Sequence, residues 1–174
     1  MTMKLDDIDK RILHDLQEDG RLTNVELSKR CNISAPPGLR RVRQIEEAGY
    51  IKSYHAVIDP QQMGYNVLIL AQVSLKNQSD NDLRKFEGLV DTWPMVRECY
   101  LVSGGSDYFM KIYAKDWDDY QNFHTNVLSK VDLISQIRTS LVIRESKNVA
   151  GIPLEKPSND DNAAVRSFRV VGSK

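Results

Sequence analysis

Between residues 65 and 143 the apolar residues change period several times, and the order of those changes leaves few folds open. Ile69, Ala71, Val73 and Leu75 alternate, which puts them on one face of a strand over residues 66–75. Leu83, Phe86 and Val90 recur at helical spacing and predict a helix over 80–90. Residues 96–102 read as a second strand, 103–106 as a glycine turn and 108–113 as a third strand. Tyr120, Phe123, Val127 and Leu128 mark a second helix over 116–131, and Leu141–Ile143 centres a fourth strand. The order β-α-β-β-α-β predicts a ferredoxin-like unit, a four-stranded antiparallel sheet covered on one side by two helices. Its uncovered face is expected to be too apolar for water, which predicts pairing with a second copy of the chain.

The first fifty residues follow a different rule. Leu5, Ile8, Ile12 and Leu16, widened by Leu13, form a helical stripe that Gly20 ends, and the early aspartates suit the helix dipole. Thr23-Asn24-Val25-Glu26 has the spacing of a capping box and opens a second helix with Leu27 and Cys31 as core positions. Asn32 breaks it. A third helix follows and closes at Gly49. On its wheel Leu39, Val42 and Ile45 face inward, Arg40 and Gln44 lie opposite, and Arg41 and Arg43 flank them. Ser34 sits where an N-cap would, but the amides it would accept from belong to Pro36 and Pro37, which carry no N–H. Regular helix is therefore expected only from Pro36 or Pro37, with the Ser34 hydroxyl left free for a phosphate or for solvent.

Such a cationic and amide stripe suits the DNA major groove, where Arg and Gln pair with base edges and flanking Arg meets phosphates. The expected DNA-binding residues are Ser34, Pro36, Pro37, Arg40, Arg41, Arg43 and Gln44. The chain has 24 basic and 24 acidic residues, yet the distribution is uneven. Between residues 21 and 45 the bases are Arg21, Lys29, Arg30, Arg40, Arg41 and Arg43 against Glu26 alone. The first twenty residues hold Asp6, Asp7, Asp9, Asp15, Glu18 and Asp19. That polarity predicts a positive face and a negative back, which would orient the domain on a polyanion.

Other classes fit poorly. No apolar run reaches the ~20 residues needed to span a bilayer, and the start lacks a signal-peptide core, so a cytoplasmic protein is expected. Cys31 and Cys99 fall in different segments and predict reduced thiols rather than a disulfide or a metal site. His14, His55 and His124 are scattered, and Asp116, Asp118 and Asp119 read as a helix start. No enzyme, metal or cofactor is expected.

The organisation is therefore residues 1–50 as a helix-turn-helix (winged-helix-like) domain, 51–64 as strand and linker, 65–151 as the ferredoxin-like βαββαβ domain, and 152–174 as a polar tail. The fold class is α+β. For the tail, disorder is the compositional default, with docking on a sheet edge as the other possibility.

The segments LDDIDKRILHDLQEDGR, ELSKRCNIS and LRRVRQIEEAGYI resemble the leucine-responsive/asparagine regulator (Lrp/AsnC) family of transcription factors. So do DPQQMGY, ECYLVSGGSDYFMKIY and RTSLVIRESK, in the same order, and together the likeness spans residues 4–150. The resemblance implies binding of double-stranded DNA, dimers often assembled into octamers, and modulation of assembly or DNA affinity by an amino acid. It also implies an effector site near Gly104, Gly105, Ser106 and Asp107, with further positions at Trp117, Ser140, Leu141 and Val142. Loop amides could meet an α-carboxylate and Asp107 an α-ammonium. Trp117 and Ser140 depart from leucine-responsive members, which carry a flexible side chain and a tyrosine there, so leucine specificity is not implied. Trp117 has core packing as its plainer reading. Two other functions stay open on sequence: an effector-independent architectural DNA-wrapping protein, and a ligand-sensing partner protein.

Overall fold

The computed structural model describes residues 3–155, and these form two units. The first comprises residues 3–56 together with 148–155; the second comprises 57–147. The boundary therefore differs from the sequence expectation, because residues 51–56 and 148–155 belong with the N-terminal helices. The expected tail lies outside the described residues from 156 onward.

Three helices build the first unit: α1 (Asp7–Glu18), α2 (Asn24–Arg30) and α3 (Ala35–Glu47). Asp6 and Asp9 cap α1 reciprocally, and Thr23 and Glu26 do the same for α2, so both starts satisfy amides that a helix leaves unpaired. The turn out of α2 needs a left-handed residue, supplied by Asn32 at φ 54°. Gly49 at φ 77° closes α3, and the Tyr50 N–H reaches back to the Ile45 carbonyl at 3.1 Å. Ile12, Leu16, Leu27, Cys31, Val42 and Ile45 form the buried core. Residues 51–58 alternate in polarity but form no strand, because none of the described residues pairs with them along the backbone; Val57 and Ile58 are exposed. Residues 148–155 are held by Gln17 of α1. Its amide nitrogen donates to the Ile152 carbonyl at 2.7 Å, and its oxygen accepts from the Ile152 N–H at 3.0 Å.

The second unit is β1 (Val67–Leu75), α4 (Asp80–Val90), β2 (Val96–Leu101), β3 (Tyr108–Ala114), α5 (Trp117–Asn126) and β4 (Ile134–Leu141). The sheet order is β2-β3-β1-β4, all pairs antiparallel. Ile69, Ala71, Val73 and Leu75 of β1 meet Tyr108, Met110, Ile112 and Ala114 of β3 on the helix-covered face, every one buried. Two expectations need correction. The helix expected to reach 131 stops at Asn126, and a 3-10 turn over Leu128–Lys130 carries Leu128 into the core. The fourth strand is not centred on 141–143 but spans Ile134–Leu141, fixed by pairing Ile137 with Val73 and Ser140 with Leu70. The other sheet face is mixed rather than simply apolar. Leu68, Leu70, Phe109 and Tyr113 are half-buried there, around Lys111, whose ammonium lies 3.5 Å from Glu98 and 3.9 Å from Glu145.

Candidate DNA-binding and effector sites

Helix α3 starts at Ala35, one residue earlier than the proline pair suggests. Its first-turn amides have no helical partner, so Pro36 and Pro37 sacrifice nothing there. Ser34 occupies the N-cap position with no side-chain cap bond. Ser34 and Pro36 are exposed and Pro37 half-buried.

The roll of α3 about its axis decides which cations face outward. Spacing centres the buried face on Leu39, Val42 and Ile45, but the buried residues are Gly38, Val42 and Ile45, with Leu39 only half-buried. At about 100° per residue, that exchange turns the helix by roughly 30°. The cause is the crossing with α2. Gly38 meets Ser28 so closely that a Cβ at residue 38 would overlap the Ser28 hydroxyl and lie 3.0 Å from its Cβ. Ser28 is buried and donates to the Asn24 carbonyl at 2.7 Å. A glycine inside an otherwise good helix was the signal for this approach, and the wheel of large apolar residues passes over it.

The roll brings Arg43 outward beside Arg40 and Gln44, all three exposed, and turns Arg41 inward. Arg41 Nη1 donates to Asp6 Oδ2 and to Asp9 Oδ1, both at 2.7 Å. The remaining carboxylate oxygens serve the α1 capping box, Asp6 Oδ1 accepting from the Asp9 N–H and Asp9 Oδ2 from the Asp6 N–H. Asp9 is 2% exposed. Partial burial opposes ionisation of Asp6, but the Asp9 amide and the Arg41 guanidinium outweigh it and hold its carboxyl below the usual value. Hydrogen bonding to Asp9 raises Arg41 in turn. This corrects the expectation for Arg41: it is an internal tie between α1 and α3, not a cation on the open stripe. It also uses two acids of the supposed negative back.

In the second unit the expected effector residues fall into two groups. Gly104 to Asp107 form the β2–β3 turn, Gly104 with φ 138°. Asp107 is already engaged there: its Oδ2 accepts from the Leu75 N–H at 2.7 Å, and its own N–H donates to the Val73 carbonyl at 3.0 Å. Trp117 opens α5 half-exposed, its ring 5.6 Å from that of Tyr120, so it is not a core residue. Tyr120 shares a 2.6 Å hydrogen bond with Thr139 of β4, Leu141 beyond it is exposed, and the Val142 N–H donates to the Leu68 carbonyl at 2.9 Å. Along β1 the first group lies beside Val73 and the second beside Ile69, four residues or roughly 13 Å apart.

Among the described residues no helix is long and apolar enough to cross a membrane, and no group of His, Cys, Asp or Glu is placed to hold a metal ion. Asp116 instead caps α5, accepting from the Asp119 N–H at 2.8 Å. Burial pushes the Cys31 thiol up, and pushes Cys99 up to about 11.

Residues 5–52 match the winged helix-turn-helix DNA-binding family, and residues 68–151 match the Lrp/AsnC ligand binding domain. The chain is 42% identical over 154 residues to the leucine-responsive regulatory protein of Rhizobium meliloti (strain 1021), covering 88% of this chain and 99% of that one. The chain belongs to the Lrp/AsnC family. A second family relative, the transcriptional regulator AzlB of Bacillus subtilis (strain 168), is 35% identical over 90% of this chain and 99% of its own length. Among solved structures, the transcriptional regulator NMB0573 of Neisseria meningitidis, in complex with L-Met, superposes with a TM-score of 0.83 at 33% identity. It covers 87% of this chain and 97% of that one. AsnC of E. coli gives 0.77 at 25% identity, over 89% and 100%. As an Lrp/AsnC regulator, the protein pairs a DNA-binding helix-turn-helix domain with a small-molecule-binding domain and is not an enzyme.

Proposed function

We propose that the protein is a cytoplasmic, amino-acid-responsive regulator that presents paired α3 helices to duplex DNA as a dimer, and assembles further into octamers. The observation that carries the DNA reading is the exposure of Arg40, Arg43 and Gln44 on one side of a helix whose other side is locked to α1 and α2. Arg40 and Gln44 read base edges, Arg43 holds phosphate, and the Ser34 hydroxyl is a further phosphate donor. Comparing R40A with R43A on specific and random duplexes by gel retardation tests the division. R40A should lose affinity on the specific duplex alone, R43A on both; equal losses for R40A on both overturn it.

The amino-acid effector reading is supported by the complex of the Neisseria relative with L-Met. The two groups of expected effector residues, roughly 13 Å apart along β1, favour a pocket completed by another copy of the chain. An effector shifts assembly or DNA affinity only by binding one state more tightly than the other. A thermal-shift screen of the amino acids, followed by retardation with each hit, tests this; a hit that leaves retardation and assembly unchanged refutes it.

A further inference from the structure

The first turn of α3 lacks what a helix start ordinarily offers an anion. Pro36 and Pro37 have no N–H, and the Gly38 N–H donates to the Ser34 carbonyl at 3.2 Å. Two of the four amides that usually face a phosphate there are therefore missing, which leaves those of Ser34 and Ala35. What the turn presents instead is the exposed Pro36 ring, one helical turn before the exposed Arg40 and on the same side. An apolar ring finds one apolar feature on major-groove base edges, the thymine C5 methyl, whereas Arg matches the O6 and N7 acceptors of guanine.

We propose that the protein's specific duplexes carry a thymine whose C5 methyl packs against Pro36, and a guanine read by Arg40 about two base pairs along the groove. Four residues advance the helix by about 6 Å, close to two base-pair rises of ~3.4 Å. Gln44 continues the same row one turn further on, and it extends the site rather than defining it. The inference rests on the DNA-binding reading given above.

The test starts from duplexes selected by the full chain out of a random pool. Each thymine of a selected site is then replaced by deoxyuridine, and each guanine by 7-deazaguanine. At one thymine position per half-site, loss of the methyl should weaken the wild-type protein by about fourfold. P36A should bind the thymine duplex more weakly and be indifferent to the replacement. Alanine suits a helix better than proline, and an unchanged circular dichroism spectrum verifies the fold. At a guanine about two base pairs away, loss of N7 should cost the wild type about tenfold and R40A nothing. Wild-type indifference to uracil at every position, with retardation of the parent duplex intact, overturns the inference alone. So does P36A retaining the methyl sensitivity. Failure to retard any duplex overturns the DNA-binding reading, and this inference with it.

Discussion

Replacing Gly38 by alanine tests the account of how α3 is set. In an open helix the change would stabilise by up to about 1 kcal/mol, since glycine is the poorer helix former. At this crossing the new Cβ would overlap the Ser28 hydroxyl and sit 3.0 Å from Ser28 Cβ. Neither atom has room to withdraw, because Ser28 is 2% exposed and its hydroxyl is bonded to Asn24. Overpacking of this kind costs about 1–3 kcal/mol, and breaking the hydroxyl bond adds about 1 kcal/mol. The net expectation is destabilisation of the helix-turn-helix unit by about 1–3 kcal/mol. Each kcal/mol should lower the midpoint of so small a domain by roughly 4–8 °C. Trp93 and Trp117 both lie in the second unit. Tryptophan fluorescence should therefore melt as in the wild type, while the far-ultraviolet circular dichroism midpoint falls. The double variant S28A/G38A removes the hydroxyl overlap and should recover part of the loss. A G38A protein whose helical signal melts higher than wild type would falsify the close crossing, and with it the roll of α3.

Four further outcomes are expected. R41A leaves the buried Asp9 without its cation and should destabilise the first unit by about 1–3 kcal/mol, yet well below its melting point it should retard DNA as the wild type does. Asp6, held below 3.8, contributes stability that is complete above that pH and lost as pH falls through its folded value; R41A should accordingly flatten the acid limb of a stability-against-pH curve. D107A should lower the melting temperature of the second unit by removing the Leu75 acceptor, whereas D107N keeps an oxygen for that bond and should fold normally while losing the effector-induced thermal shift. With both thiols pushed up by burial, Cys31 and Cys99 should alkylate slowly in the folded protein at neutral pH and quickly in denaturant, as read by mass spectrometry; rapid labelling of the native chain would contradict the buried environments.

What could be read from the sequence was what local spacing determines. The Thr23–Glu26 box, the helix over residues 80–90 and the β1 alternation each depend on residues within a turn or two of one another. Local spacing misleads where a distant partner decides. Apolar Leu141-Val142-Ile143 attracts the centre of the last strand, yet pairing with β1 places the strand in the more polar residues before it, on an exposed sheet edge. Residues 51–58 have strand character but meet no partner strand among the described residues. Arg41 looks like its neighbours Arg40 and Arg43 until acids 32 and 35 residues away claim it. Asp107 similarly looks like a free turn carboxylate until the Leu75 amide, distant in sequence, is brought against it.

The bond pair between Gln17 and Ile152 gives the first unit a piece of chain separated from it by 135 residues. Synthesis proceeds from the N-terminus, so α1, α2 and α3 leave the ribosome and collapse well before Ile152 exists. Until then water must satisfy the Gln17 amide. The domain that meets DNA is thus finished last although it is begun first. A chain interrupted anywhere between the two segments would carry a helix-turn-helix that is folded but incomplete.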